Sequence, residues 1–540
     1  MTSTPTSTRD GPYSTNTLAS NKFLIIYFLN IWISFFLLLI ESLVFWKLIE
    51  GYIIIFLLIL PIEILFGYYT IVFSSFLISK LLIILINLIH KPKEGIFKRD
   101  KSDRDYYYWS LRAVVKKWPI WILTFIPSSL LNNLFLTLFG VKTSLSNSIN
   151  HVNIDTEFIE LGSKIHIGKG TFIKSSMIFG NYLIIKRIII EDNVHVGPHS
   201  YISPGTIIKE NTIINTLSVT KLNQLLNSNS VYSGYPVERI NMNIEDTYRL
   251  NNIDQIFEEQ ITHKHNPVEL SKPKKIPENK FIKKIPTYIG MFVIVYFVSY
   301  IIVFFGLYLY FTEIFFPNVL AYPSSSPLII TNISMIILVF TPVVILGFHV
   351  LNIIFMVLIT KFLYYIICRI NKPKEGIFHW SKKTIDYDFY FLRSFLLRYA
   401  KWKIQRSPYP WLIKSVFNFI GGCSIGKGTI IEDMYLSKEF IHIGENAYIG
   451  KILLTNQLWD TALTVKGVKI EDNVVINDGC CIAPGNIIEK GVSILPFSIT
   501  SKYEHLKSNK IYYDAPIKEI KNKEELIKIM NINIENYNKQ

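Results

Sequence analysis

Residues 190–214 read IEDNVHVGPHSYISPGTIIKENTII, and an apolar residue falls at every sixth position: Ile190, Val196, Ile202, Ile208 and Ile214. Four places after each stands a small or β-branched residue: Val194, Ser200, Thr206, Thr212 and Ser218. A helix repeats about every 3.6 residues and a flat strand every second one, so neither matches. A left-handed parallel β-helix does. Its cross-section is a triangle, each side is one short strand, and one coil takes about 18 residues. The apolar residue points into the prism, and the residue four further on fills a corner of modest volume. Gly168, Glu191, Gly197 and Gly444 stand beside apolar positions and handle the turns. Residues 470–498 carry the code again, with Ile470, Ile476, Ile482, Ile488 and Ile494 followed by Val474, Cys480, Asn486, Val492 and Ser498.

This second occurrence belongs to a longer duplication. Lys91-Pro-Lys-Glu-Gly-Ile-Phe97 recurs 281 positions later as Lys372-Pro-Lys-Glu-Gly-Ile-Phe378. The same offset aligns Pro61 with Pro342, Lys80 with Lys361 and Arg112 with Arg393. Glu157-Phe-Ile159 aligns with Glu439-Phe-Ile441, and Ile190-Glu-Asp-Asn-Val194 with Ile470-Glu-Asp-Asn-Val474. The fold expected is therefore a membrane α plus β chain of two tandem units, each with transmembrane helices followed by a left-handed parallel β-helix. The boundaries are 1–22, disordered polar tail; 23–89, transmembrane region; 90–140, juxtamembrane segment; 141–240, β-helix; and 241–284, linker. The second unit follows as 285–370, transmembrane; 371–420, juxtamembrane; 421–520, β-helix; and 521–540, polar tail.

Each unit opens on apolar runs: Phe23–Trp46 and Gly51–Ile89, then Tyr288–Phe311 and Leu328–Ile370. A span needs about 20 apolar residues. The longer run of each unit is read as one span that kinks near its Pro and continues as an amphipathic segment along the surface. Lys80 and Lys361 then sit at a span edge and snorkel. Lys91, Lys93, Lys98, Arg99, Arg369, Lys372 and Lys374 crowd the exits of the second spans. By the positive-inside bias both β-helices face the cytosol. The net charge of +15 is accounted for by this bias and by attraction to anionic lipid in the bilayer. No basic–aromatic motif for nucleic acid appears. The four cysteines, Cys368, Cys423, Cys480 and Cys481, form neither a metal-type pair nor a disulfide framework.

The order of parts resembles the membrane-bound terminal region of certain nonribosomal peptide synthetases, of the ε-poly-L-lysine synthetase type. The residues that carry the likeness are Lys372-Pro373, Gly376-Ile377-Phe378, Trp380-Ser381 and Phe389-Tyr390-Phe391-Leu392-Arg393, with Gly95, Tyr106-Tyr107-Tyr108-Trp109 and Arg112 in the first unit. The likeness implies tandem units of two spans, a juxtamembrane motif and a hexapeptide-repeat domain of the trimeric LpxA-like kind. It also implies acyl or peptidyl transfer, with acyl-CoA or a carrier-bound acyl group as donor. The chain shows no adenylation or carrier domain, so a donor protein supplies the activated group. Where that family carries Thr-His-x-Phe-Glu-Asp in the break of the β-helix, this chain has Ser176-Met177-Ile178-Phe179 and Asn456-Gln457-Leu458-Trp459.

A His is the usual general base for such transfer. His195 and His199 are the catalytic candidates, flanking one corner; the alternative is a pair of solvated turn histidines. Glu191-Asp192 and Glu471-Asp472 read as turn residues. Arg112 and Arg393 follow aromatic clusters and are candidates for a phosphate or carboxylate contact. The alternative for them is interfacial anchoring. Two functions follow: a membrane-bound transfer protein working with a donor, or a non-catalytic membrane scaffold whose β-helices bind partners or oligomerise. A transporter is the weaker third class, because few charges lie within the apolar runs.

Overall fold

In the computed structural model the described residues are 11–49, 52–125, 128–144, 146–149, 151–240, 285–320, 332–379, 384–460 and 462–531. The expected linker 241–284 lies outside them. Four helices are long and apolar enough to cross a membrane: α1 (Phe23–Ile49), α2 (Ile53–Ile89) and, after α3 (Arg104–Leu123) and α4 (Ser129–Phe139), α5 (Pro286–Leu320) and α6 (Asn332–Ile370). Then come α7 (Ile385–Gln405), α8 (Leu412–Ile420) and, near the C-terminus, α9 (Lys523–Met530).

Between α4 and α5, and again after α8, the chain coils into a three-faced prism. The hexapeptide apolar residues stack one coil above the next. Ile190 pairs in register with Ile208 and Ile208 with Leu226; Ile470 pairs with Ile488 and Ile488 with Leu506. Each prism is built of parallel ladders, closed at its far end by one antiparallel strand: Glu238–Ile240 in the N-terminal prism and Lys518–Glu519 in the C-terminal one. The ten apolar code positions are all buried, none exposing more than 3% of its surface. Burying each such Ile or Val contributes roughly 1.5–3 kcal/mol. The residues four further on are buried too, which explains their small size. The corners divide their labour. Asn193, Asn211, Asn473 and Asn509 take the left-handed backbone (φ 55–56°) that Asn tolerates. Gly197 has an ordinary φ, but a Cβ there would sit 2.5 Å from the Thr216 backbone nitrogen of the next coil. Its smallness serves close stacking rather than the turn itself.

One hairpin interrupts each prism and is extended by the duplicated motif. Gly95–Lys98 pairs antiparallel with Tyr182–Ile185, and Gly376–Phe378 with Leu463–Val465. The motif's glutamate pins the chain just beyond the hairpin. Glu94 accepts from the Arg187 backbone N–H at 3.0 Å, and Glu375 from that of Gly467 at 2.9 Å. KPKEGIF thus fastens the end of a long apolar helix to the break in a prism.

The two prisms lie against each other. Phe172 and Tyr201 of one meet Phe497 of the other, and the Tyr235 hydroxyl donates to the Pro496 carbonyl at 2.8 Å. Beside this contact Lys174, 3% exposed, lies 3.2 Å from Asp155 and 3.5 Å from Asp478, over the Tyr13 ring. Lys451 donates to Asn153 across the same seam at 2.6 Å.

Several expectations change. The tail 1–22 was to be disordered; instead Gly11–Tyr13 adds a parallel strand to Asn153–Asp155, and the Asn16 backbone N–H donates to buried Glu432 of the other prism at 2.8 Å. The polar Ser and Thr that suggested disorder supply hydrogen bonds to a buried polar seam. Of the tail 521–540, the described residues form α9, whose Leu526, Ile529 and Met530 pack on Met177, Ile184 and Leu222 of the N-terminal prism. The expected surface segments are part of the helices α2 and α6. Each is one unbroken helix through its Pro, and the latter part of α2 buries Val72, Phe76, Ile83 and Ile86 in the core shared with α3 and α4. Lys80 is half-buried and Lys361 exposed. Lys80 donates to the Leu138 carbonyl in the last turn of α4, and Lys361 lies over the Phe419 ring of α8 at 3.7 Å.

Candidate functional site

His195 and His199 stand on the N-terminal prism, one on a ladder and one at a corner. His195 points outward from a ladder and stacks on His166 with ring centroids 5.1 Å apart; partial burial and the neighbouring imidazole lower its pKa. His199 occupies a left-handed corner (φ 54°) with its ring against Gly170. Neither lines either cleft described below. Glu191 and Asp192 hold turns: Glu191 accepts from Lys209 at 2.6 Å, and Asp192 from the Ser163 backbone N–H at the same distance.

Arg112 and Arg393 are neither surface anchors nor open anion contacts. They are 2% and 1% exposed and pair inward with Glu157 and Glu439, which follow the first coil of each prism. Arg112 Nε donates to Glu157 Oε1 at 3.0 Å, and Arg393 Nε to Glu439 Oε1 at 2.8 Å. A carboxylate so enclosed needs such partners, because unpaired burial of a charge is prohibitive.

These ion pairs mark the place where chemistry could occur. Two clefts lie at matching positions, one per prism, each walled by the helix that carries the arginine, the strand leading to the glutamate and the start of the hairpin. At the offset of 281 or 282, Tyr390 stands where Trp109 does, Ser394 where Ala113 does and Lys438 where Thr156 does. Asn456 and Gln457 stand where Ser175 and Ser176 do. Both clefts are small and open to solvent, with free space of about 30 Å³ in the N-terminal cleft and about 10 Å³, roughly one water molecule, in the C-terminal one.

Their electrostatics differ. In the N-terminal cleft Lys116 reaches from α3 to Glu157 (2.7 Å) and Thr156 (3.0 Å). Burial alone would raise the Glu157 pKa, but Lys116 and Arg112 outweigh it and hold the carboxyl at about 2. Both cations bind its Oε1, while its Oε2 and Arg112 Nη1 are buried without a hydrogen bond. In the C-terminal cleft the place of Lys116 is taken by Leu397, and the lysine comes from the strand as Lys438. Glu439 keeps Arg393 and gains the Tyr364 hydroxyl of α6 (2.8 Å), leaving its Oε2 buried without a hydrogen bond. Asn456 Nδ2 is likewise buried and unsatisfied, with the residue 2% exposed. Lys438 Nζ lies 3.2 Å from Ser394 Oγ. Burial, then Arg398 and Lys401, push the Lys438 pKa down to about 8, against a smaller opposing pull from Glu439. The C-terminal cleft therefore offers an unused acceptor, an unused donor and an amine whose protonation changes near neutrality.

No protein-family model and no curated protein matches the chain. Solved structures similar to part of it include AntD, an N-acyltransferase from Bacillus cereus, at 21% identity and a TM-score of 0.15 over 22% of this chain and 84% of that one. A maltose O-acetyltransferase from Clostridium difficile matches at 16% identity and a TM-score of 0.22, over 28% of this chain and 94% of that one. A hexapeptide-repeat-containing acetyltransferase from Vibrio cholerae, complexed with acetyl coenzyme A, matches at 14% identity and 0.22, over 26% and 91%. The coil architecture itself rests on the strand register described above.

Proposed function

We propose that the chain is a multi-pass membrane protein that takes part in acyl or peptidyl transfer, as the synthetase terminal regions it resembles do, with a partner supplying the activated group as a thioester. In this reading α1, α2, α5 and α6 cross the bilayer as two hairpins. The prisms are left-handed β-helices of two tandem units on the cytosolic side, beside anionic lipid. The observation that carries the reading is the C-terminal cleft. A buried donor or acceptor without a partner costs about 1–3 kcal/mol. The N-terminal cleft leaves Glu157 Oε2 and Arg112 Nη1 unpaired as well; what sets the C-terminal cleft apart is Lys438 beside the Ser394 hydroxyl, where a ligand carbonyl and a ligand N–H or O–H would satisfy the open groups. This favours transfer over the scaffold reading. Full-length protein in detergent, given acyl-CoA or carrier-bound thioesters and primary amines, should release free thiol in an amine-dependent way. Thiol release no faster than the uncatalysed background with every donor class would overturn the proposal.

A further inference from the structure

We propose that Ser394 and Lys438 form a serine–lysine dyad, with Ser394 Oγ as covalent nucleophile and Lys438 Nζ as its base, so that the C-terminal cleft transfers acyl groups through a serine ester. This deepens the transfer reading and rests on it. A serine hydroxyl is a weak nucleophile unless a neutral base stands within hydrogen-bond reach. Lys438 Nζ does, at 3.2 Å from Oγ, and both residues are half-buried in the wall of one cleft. The groups facing the amine explain its readiness to lose a proton. Arg398 and Lys401 on α7 repel its charge, Glu439 on its own strand is the one acidic influence, and burial removes water. Tyr390 and Tyr435 complete the wall, and the Tyr390 hydroxyl is engaged in donating to Gln457. Asn456 Nδ2, buried in the same wall beside the Tyr390 hydroxyl, supplies a donor for the carbonyl oxygen as charge develops there. The N-terminal cleft keeps the arginine–glutamate pair but has Ala113 and Thr156 at these two places. The cleft can thus be built without the dyad, and its presence in one prism is not a requirement of folding.

The step balances as follows. Ser394 Oγ attacks the thioester carbonyl carbon while its proton passes to neutral Lys438 Nζ. The C–Oγ bond forms, the C–S bond breaks, and the leaving sulfur takes the proton from Lys438. An acceptor amine then attacks the serine ester and gives one proton to Lys438, which returns it to Oγ as the ester bond breaks.

The test is labelling of the full-length protein in detergent with an alkyl fluorophosphonate, read by intact mass and peptide mapping. One adduct at Ser394 is expected, forming faster as pH rises, with a midpoint near 8. Ser394→Ala should abolish it and Lys438→Thr should slow it about a hundredfold. Both substitutions place in the cleft the side chain that its N-terminal counterpart already carries. Ser508→Ala, at an exposed corner of the same prism, should leave labelling unchanged. No adduct, an adduct at another residue, or an undiminished rate in Lys438→Thr would overturn the dyad. Amine-dependent thiol release that persists in Ser394→Ala would overturn the dyad and leave direct transfer standing. A Ser394 adduct without any thioester turnover would support a reactive dyad and overturn the transfer reading.

Discussion

At the scale of single residues, the glutamates Glu157 and Glu439 hold buried arginines in place. Glu157 sits between Arg112 and Lys116, both almost fully buried. Removing the carboxylate strands two cations, so Glu157→Gln should destabilise the protein by about 3–5 kcal/mol, measured by denaturant unfolding in detergent. The pH dependence has a definite sign. The folded pKa of about 2 lies below the ordinary value of 4.5, so the contribution is complete above pH 4.5 and is lost as pH falls toward 2. An acid titration of stability should show this loss in the wild type and a shallower one in Glu157→Gln. An equal slope in both would mean that the pair is not formed. The role of the arginines was only partly legible in the sequence. Arg112 and Arg393 stand out because both halves carry them, but so do Glu157 and Glu439. Matching those two retained pairs of opposite charge was the available signal. Ser394 and Lys438 left none, because they are 44 positions apart and differ from their counterparts.

At the scale of elements, coil and motif behave differently. Every code position packs the same small core, so a substitution there should cost what a cavity costs. Ile482→Ala, fully buried, is expected to lose about 2–5 kcal/mol, and Ile487→Ala, which points outward and is 41% exposed, less than about 1 kcal/mol. Chemical denaturation of the two variants decides this, and similar losses would contradict the register Ile488↔Leu506 and Ile470↔Ile488. The motif strand depends on fewer contacts. Glu375 holds Gly467 and Lys466, so Glu375→Ala should release Gly376–Phe378 from the hairpin. Hydrogen exchange at Leu463–Val465 should then rise about tenfold, as one charge-assisted tie of about 1.5 kcal/mol is lost. The period of six was legible because it depends only on neighbouring residues of one strand. The added motif strand was not, because its partner lies 84 to 90 residues away, as the pairs Lys98↔Tyr182, Ile377↔Thr464 and Gly95↔Ile185 show.

At the scale of the whole molecule, the seam between prisms and the side of the membrane they occupy are the two testable features. Lys174 has Asp155 on its own prism and Asp478 on the other. Asp478→Ala should weaken the docking of the prisms by about 2–4 kcal/mol, read as earlier proteolysis of one prism than the other. Simultaneous cleavage at the wild-type rate would show that the aromatic contact through Phe497 suffices. For the proposed orientation, Lys209→Cys and Lys490→Cys occupy outward corners of different prisms. Both should react with an impermeant maleimide from the same face of sealed vesicles, the cytosolic one. Opposite faces would remove the two-hairpin topology.

The sequence by itself determined the prisms and the long apolar helices. Both follow from patterns repeated along the chain, the hexapeptide code and unbroken apolar runs, and each pattern is satisfied by local geometry. Only the tertiary structure decided what the polar residues do. A buried charge must find its partner wherever the fold brings one, and those partners come from other helices, the other prism or the polar N-terminal strand. That is why the histidines, conspicuous in sequence, fall on open faces and corners. The cleft at Ser394, Lys438 and Asn456 appears only when three separate segments meet at the mouth of the C-terminal prism.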